Sequence, residues 1–273
     1  MNTPNPELSI ITISYGDPEG LRRTLESLRT LVGSELSWEH VVVDSSPEIN
    51  AKILSDFKTW PLVRIESSPL GIYPAFNLGL QKAQGEFVWF LNGGDRLKNI
   101  DNLKALMSIA SKNPTTDLFC AGVNVFRDMA FTYPVYPKEP LLKNLIGQNT
   151  LCHQGVIYRK SVFTRVGLYS ETYKLAGDYE HHLRCFFQGV TSNFSKIIIA
   201  EFDRDGRSDT FEKVFSEYKK IWEVYRPKFS TSMTLRNKAL GLAHLTKLRL
   251  MRSSFIKPVS KPLKKLWYRF KSQ

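Results

Sequence analysis

The chain has 273 residues, 42% of them hydrophobic and 23% charged. That is enough for one substantial α/β domain with an appendage, and it excludes a disordered or collagen-like chain. The formal net charge of +12 is unevenly placed: Val224 to Gln273 holds 13 Lys/Arg and no Asp/Glu, so the body before it is close to neutral.

Met1 to Glu7 has no basic n-region, so a secretory leader is not expected. No run of about 18 uncharged apolar residues occurs, so no membrane-spanning helix is expected either. Cys120, Cys152 and Cys185 are widely spaced and form no CxxC pair. This argues against a disulfide framework or a zinc knuckle and for a reducing, cytoplasmic setting.

Leu8–Ser14 is a short apolar, β-branched run that predicts a buried parallel strand. Gly16, Asp17 and Pro18 break it, and Leu21, Leu25 and Leu28 then recur at helical spacing in a helix starting near Asp17. A second strand is predicted over His40–Val43, ending at Asp44-Ser45-Ser46-Pro47. A third is predicted over Val63–Glu66, a helix over Ile72–Gln84, and a fourth strand over Glu86–Leu91, ending at Asn92-Gly93-Gly94-Asp95. Alternating strands and helices predict a parallel sheet covered on both faces. Such sheets bind ligands beyond the carboxyl ends of their strands, which singles out Tyr15-Gly16-Asp17, Asp44-Ser45 and Asn92–Asp95.

Asp117–Arg165 reads as further strands and an acceptor-side region. Helices are predicted over Asp178–Gln188 and Thr210–Tyr225. Leucines from Leu235 to Leu250 alternate with Arg236, Lys238, Lys247 and Arg249, and a second basic amphipathic stretch surrounds Trp267. Residues 1–230 are thus expected to form the α/β domain and residues 231–273 a helical basic tail of the kind that lies on an anionic membrane surface.

Hard cations take oxygen ligands and complete their shells with substrate phosphates. Asn92-Gly93-Gly94-Asp95 supplies one carboxylate and one amide oxygen, with glycines that admit a diphosphate; the same four residues are also good turn chemistry, and the residues alone leave both readings open. In LAGDYEHHLR, Asp178 and Glu180 open a helix whose N-terminus favours ionised carboxylates. A general base and a simple helix cap both fit Asp178. His181 and His182 are adjacent and cannot share a helix face, so no second metal site is expected.

The order LSIITISYG, VVVDSS, GIYPAFNLGLQKAQGEFVWFLNGGD resembles the family 2 glycosyltransferases of GT-A fold, over roughly 90 residues with each motif after its strand. The resemblance implies an inverting transferase with a Rossmann-like, mostly parallel sheet. It places Thr12, Ser14 and Tyr15 at the nucleotide pocket, Asp44 at the nucleobase, Asn77 and Asn92 among the substrate contacts, and Asp95 as the ligand of a Mn²⁺ or Mg²⁺ ion. Asp178 matches the family's catalytic acid, Glu180 lies beside it, and His153 and Gln154 match a segment facing the diphosphate or acceptor. Arg204 and Arg207 match a loop near the leaving group.

The pattern departs from the family at four places: only one acid follows the second strand, Pro74 stands where an Asp is usual, the metal-binding Asp-x-Asp is reduced to Asn92-Gly93-Gly94-Asp95 with one carboxylate, and Gly177 replaces the Glu before the base. The implied donor is a nucleotide sugar, UDP by default. With the tail, the expected acceptor is a lipid-linked saccharide at the inner face of the plasma membrane, in surface polysaccharide assembly. Two other classes compete: a catalytically inactive GT-A scaffold, favoured by the single metal carboxylate, and a nucleic-acid-binding module using the basic tail.

Overall fold

A computed structural model describes residues 5–127, 131–139, 145, 149–203 and 211–229. Arg204, Arg207 and the tail from 231 lie outside the described residues. Among those described is a nine-stranded sheet. Its first half follows the expected alternation: β1 (Leu8–Ser14), α1 (Pro18–Ser27), β2 (Trp38–Asp44), α2 (Pro47–Ser55), β3 (Leu62–Glu66), α3 (Ile72–Lys82) and β4 (Phe87–Phe90). These strands lie in the order β3-β2-β1-β4 and all run parallel. Ser14 sits opposite Asp44, so β1 and β2 end level at one rim.

The rest of the sheet is mixed. After β5 (Arg96–Leu97) and α4 (Ile100–Lys112) come β6 (Leu118–Arg127), β7 (Phe131–Val135), β8 (Val156–Arg159), α5 (Ser161–Val166), α6 (Gly177–Phe187), β9 (Ser192–Asp203) and α7 (Phe211–Tyr225). β8 joins β4 and β6 antiparallel, β9 lies parallel to β6, β5 runs antiparallel along the outside of β9, and β7 pairs with the far end of β6.

Side chains alternate across the strands with a period of two. In β4, Val88 and Phe90 enter one core with Ile11 and α3, while Phe87 and Trp89 enter the other with Leu8, Ile10 and α4. Both faces are therefore apolar, as a sheet covered on both sides requires. α3 stops at Lys82, earlier than its apolar spacing predicts. Ala83 takes an extended ψ of 129°, and the Gln84 N–H turns to the buried Glu39 carboxylate, which the Ser9 hydroxyl also reaches at 2.6 Å. α2 was not anticipated; Pro at its first turn starts it.

A 3-10 turn, His153–Gly155, precedes β8 and presses on β6. A Cβ on Gly155 would lie 2.5 Å from the Ala121 carbonyl oxygen and 3.0 Å from Val123. Ala121 sits at a shift in the β6–β9 register, and such irregularities re-aim the backbone near sites. The indole N–H of Trp89 donates to the Gln154 carbonyl at 2.8 Å and ties the turn to β4. Gly155→Ala is expected to cost about 1–3 kcal/mol of stability by overpacking against backbone, read as a lower urea midpoint; an unchanged midpoint would show that the turn yields freely.

Candidate active site

The rim beyond β1, β2 and β4 gathers most of the residues singled out from sequence. Asp17 caps α1 by accepting the Gly20 N–H at 2.8 Å. Asp44 is fully buried and its carboxylate is crowded with donors: the Ser46 N–H at 2.9 Å and Asn50 amide at 2.7 Å on Oδ1, and the Arg64 guanidinium at 2.7 and 3.1 Å on Oδ2. Arg64 also pairs with Glu66 at 2.9 Å. Asp44 thus organises Arg64 and the Ser45–Ser46 turn rather than presenting a bare carboxylate. Ser14 is buried beside it and accepts from Asn50 at 3.3 Å. Tyr15 is half exposed at the rim.

Thr12 lies deeper than the rim. It is fully buried, and its hydroxyl donates to the Leu91 carbonyl at 2.7 Å. Burial pushes the adjacent His40 imidazole down to about 3, so the ring is neutral, and its Nε2–H faces Thr12 Oγ1 at 2.9 Å. Thr12 therefore joins strands. Asn77 is likewise a clamp: its amide bonds Tyr169 N–H, Tyr169 carbonyl and Glu171, each at 3.0 Å. Glu180 accepts from Arg184 and from the Tyr225 hydroxyl at 2.7 Å. Residues two apart on a helix do not face the same way, so the acid pair expected at 178 and 180 is split, with Glu180 holding α7.

The Asn92–Asp95 loop is tight. Gly94 has φ 104°, and its N–H donates to Thr24 Oγ1 at 3.0 Å. That hydroxyl also lies 2.7 Å from the Asp95 carbonyl, so α1 holds the loop from below. Asp95 is 5% exposed; its Oδ2 accepts the Asn92 N–H at 3.2 Å and the Gln154 amide at 3.1 Å.

His153 bridges this loop to α6. The Asn92 amide lies 3.1 Å from His153 Nε2. With that nitrogen accepting, the proton sits on Nδ1, which faces Asp178 Oδ2 at 3.9 Å. Asp178 also accepts from the Tyr73 hydroxyl at 3.1 Å and the Asn149 amide at 2.7 Å. Burial opposes its ionisation, but His153 first, and then His182 and the Tyr179 N–H, outweigh burial and hold the carboxyl below the usual carboxylate range. Asp178 is thus an ionised acceptor. Gly177 explains the lost acid before it: any Cβ there would meet the Tyr73 ring at 2.7 Å.

Sequence reading missed four partners. Tyr73 stood in a quoted motif without a role, and Arg64 and Thr24 act through neighbours that only folding brings near. Asn149 carried no local signal.

A Mg²⁺- or Mn²⁺-type ion fits part of this arrangement. The Asn92 side-chain oxygen is buried without a hydrogen-bond partner, and the backbone N–H of the same residue meets the Asp95 carboxylate at 3.2 Å. Among the described residues no group of three or more His, Cys, Asp or Glu can hold a metal. An ion here would need substrate phosphates and water to complete its shell, as Mg²⁺ commonly does.

Comparison with known proteins bears on this geometry. The family model for glycosyl transferase family 2 matches residues 9–167; this covers β1 to α5 and ends before Asp178. An uncharacterized glycosyltransferase of Mycobacterium tuberculosis is 28% identical over 235 residues, covering 82% of this chain and 86% of that protein. A PGL/p-HBAD biosynthesis glycosyltransferase of Mycobacterium bovis is 26% identical over 137 residues, covering 50% of this chain and 52% of that protein. Among solved structures, S. aureus TarS 1-349 in complex with UDP-GlcNAc superposes with TM-score 0.63 at 16% identity, over 88% of this chain and 71% of that one. The mannosyltransferase PcManGT of Pyrobaculum calidifontis, in complex with GDP-Man and Mn²⁺, gives 0.57 at 14% identity, over 99% and 84%. The structural likenesses show a shared GT-A fold, and the family match settles the class: this chain belongs to glycosyl transferase family 2 and is a glycosyltransferase.

Proposed function

We propose that the enzyme transfers a sugar from a UDP-sugar to a hydroxyl of a lipid-linked saccharide by a single inverting displacement, with Asp178 as general base. The observation that carries this reading is the ionised Asp178 carboxylate, joined through His153 to the Asn92–Asp95 loop. The acceptor oxygen attacks the anomeric carbon, the bond from that carbon to the diphosphate oxygen breaks, and the hydroxyl proton passes to Asp178.

Tyr15 and the Ser14 end of β1 are assigned to the nucleotide, with Asp44 acting through Arg64. His153 and Gln154 keep Asp178 and Asp95 in register. Asp95 and the Asn92 oxygen would hold a Mn²⁺ or Mg²⁺ ion, which when bound supplies Lewis-acid neutralisation of the diphosphate. Thr12, Asn77 and Glu180 are assigned supporting rather than substrate-touching roles. Arg204 and Arg207 are assigned to the leaving group from the resemblance alone.

The donor reading draws on the UDP-GlcNAc and GDP-Man complexes of the two solved relatives. The glycolipid-type acceptor draws on the relative named for PGL/p-HBAD biosynthesis and on the basic tail. No helix among the described residues is long and apolar enough to cross a membrane. Residues 231–273 are assigned as a separate peripheral anchor for the cytoplasmic membrane face, and the enzyme is assigned to surface polysaccharide assembly on the resemblance and the basic tail.

Calorimetry with UDP, GDP and dTDP, with and without Mn²⁺, tests the donor site: one nucleotide should bind, with Mn²⁺ tightening it in wild type and not in Asp95→Asn. Absence of binding by all three would favour an inactive scaffold. With the donor so identified, Asp178→Asn should slow transfer by roughly 10²–10⁴-fold at unchanged nucleotide affinity; normal turnover would remove Asp178 from the mechanism. Deleting residues 235–273 should release the protein from vesicles rich in anionic lipid, each basic residue near the surface contributing about 1 kcal/mol. Retention on vesicles, or tail-dependent binding to DNA instead, would refute the anchor.

A further inference from the structure

Each oxygen of the Asp178 carboxylate meets one neutral donor: the Tyr73 hydroxyl on Oδ1 and the Asn149 amide on Oδ2. Tyr73 belongs to α3. Asn149 belongs to no helix or strand, so something other than a regular element must set its amide.

Two donors do so. The Leu151 N–H reaches Asn149 Oδ1 at 3.2 Å. A backbone N–H can only donate, so the atom it meets is the amide oxygen and the opposite end carries the N–H groups. His182 Nδ1 lies 3.3 Å from the same oxygen, and its Nε2 lies 2.7 Å from the Tyr158 hydroxyl. Burial pushes His182 down to about 4, so the ring is neutral and has a single N–H. Facing a carbonyl oxygen, Nδ1 holds that proton, and the Tyr158 O–H donates to Nε2. Both rings are buried and lie nearly parallel, 7° apart. Every donor along Tyr158, His182 and Asn149 therefore points toward the carboxylate. Buried polar chains of this kind persist when each member is satisfied.

We infer that Asn149 is a positioning residue for transfer, and that Tyr158 and His182 lock its amide so that an N–H always faces Asp178. The inference rests on Asp178 being the base. It assigns the buried histidine a task in the reaction, although His182 touches no substrate. A carboxylate has about four acceptor positions; Tyr73 and Asn149 take one on each oxygen and the Tyr179 N–H a third, which leaves one for an acceptor hydroxyl. Among the described residues, the other titratable groups that interact with Asp178 include His153 from the 3-10 turn, Tyr158 from β8, Tyr169, His181 from its own helix and, from α7, Tyr218, whose hydroxyl accepts the Asn149 backbone N–H at 3.4 Å. His182 lies on Asp178's own helix.

The direct test is a carbon-13 NMR titration of aspartate carboxyls in the full chain, with the Asp178 signal identified by its loss in Asp178→Asn. In wild type it should titrate below the usual carboxylate range. Asn149→Ala removes a charge-assisted donor and should raise the midpoint by about one pH unit, a tenfold change in ionisation constant. His182→Phe should raise it in the same direction, and His182→Gln, which restores an N–H toward Asn149, should bring it back. An unmoved midpoint in Asn149→Ala overturns the inference. Should that variant not fold, equal midpoints in the Phe and Gln variants of His182 overturn it. Full transfer by Asp178→Asn would instead sink the choice of base, whatever the titration shows.

Discussion

The site depends on where one 3-10 turn is forced to lie. Gly155 is pressed on the Ala121 carbonyl and the Gln154 carbonyl is held by Trp89, so His153–Gly155 is trapped between β6 and β4. From that position Gln154 reaches Asp95, and His153 spans from Asn92 toward Asp178. The parallel half of the sheet carries the Asn92–Asp95 loop, while α6 follows the antiparallel half. The turn joins them, and it does so from the backbone outward, which fixes the spacing of the two carboxylates better than side-chain contacts alone could.

This arrangement gives a physical reason for the amide at position 92. The Asn92 amide nitrogen faces His153 Nε2, and with that nitrogen accepting, the ring proton lies on Nδ1, facing Asp178. A carboxylate at 92 could only accept. It would draw a proton to Nε2 and either turn the neutral ring's acceptor toward Asp178 or require a charged ring. Having a single acid in the Asn92–Asp95 loop is therefore compatible with a working site. A cation held here would bind weakly without substrate, since one carboxylate and one amide oxygen leave most of its shell to other ligands.

The parallel half was legible because its signals are local. β-branched runs, a Pro-started helix and glycine turns at strand ends each act within a few residues, and β1 to β4 fall where those signals put them. The rim residues Tyr15, Asp44 and Asp95 were legible for the same reason: polar residues right after buried strands must lie at the carboxyl edge. What stayed hidden was the state of each side chain. Nothing near Asp44 in sequence announces Arg64, twenty residues on, and nothing near Thr12 announces that its hydroxyl is spent on Leu91. Asn149 owes its role to partners at 151, 178 and 182, two of them on a helix about thirty residues away. Asp178 and Glu180 are neighbours in sequence, but the helical angle between them gives each its own set of partners, which spacing alone does not reveal.

That angle serves a purpose in the fold. The partners of the Asp178 carboxylate, Tyr73, Asn149 and His153, lie within the residues matched by the family model, which end at 167, but the segment that bears it is also held by structure beyond them. α7 provides it. The Glu217 carboxylate accepts the successive N–H groups of Lys174, Leu175 and Ala176 at 2.8–2.9 Å, just before α6 begins. Tyr218 takes the Asn149 N–H, Trp222 bonds Tyr179, and Tyr225 bonds Glu180. One carboxylate collecting three N–H groups at a helix start satisfies donors that would otherwise be orphaned, and its charge suits that end of the helix. α7 therefore grips both faces of the segment bearing Asp178, with Glu180 as its handle on the side away from the site. Position 178 is free to face the site because position 180 faces α7.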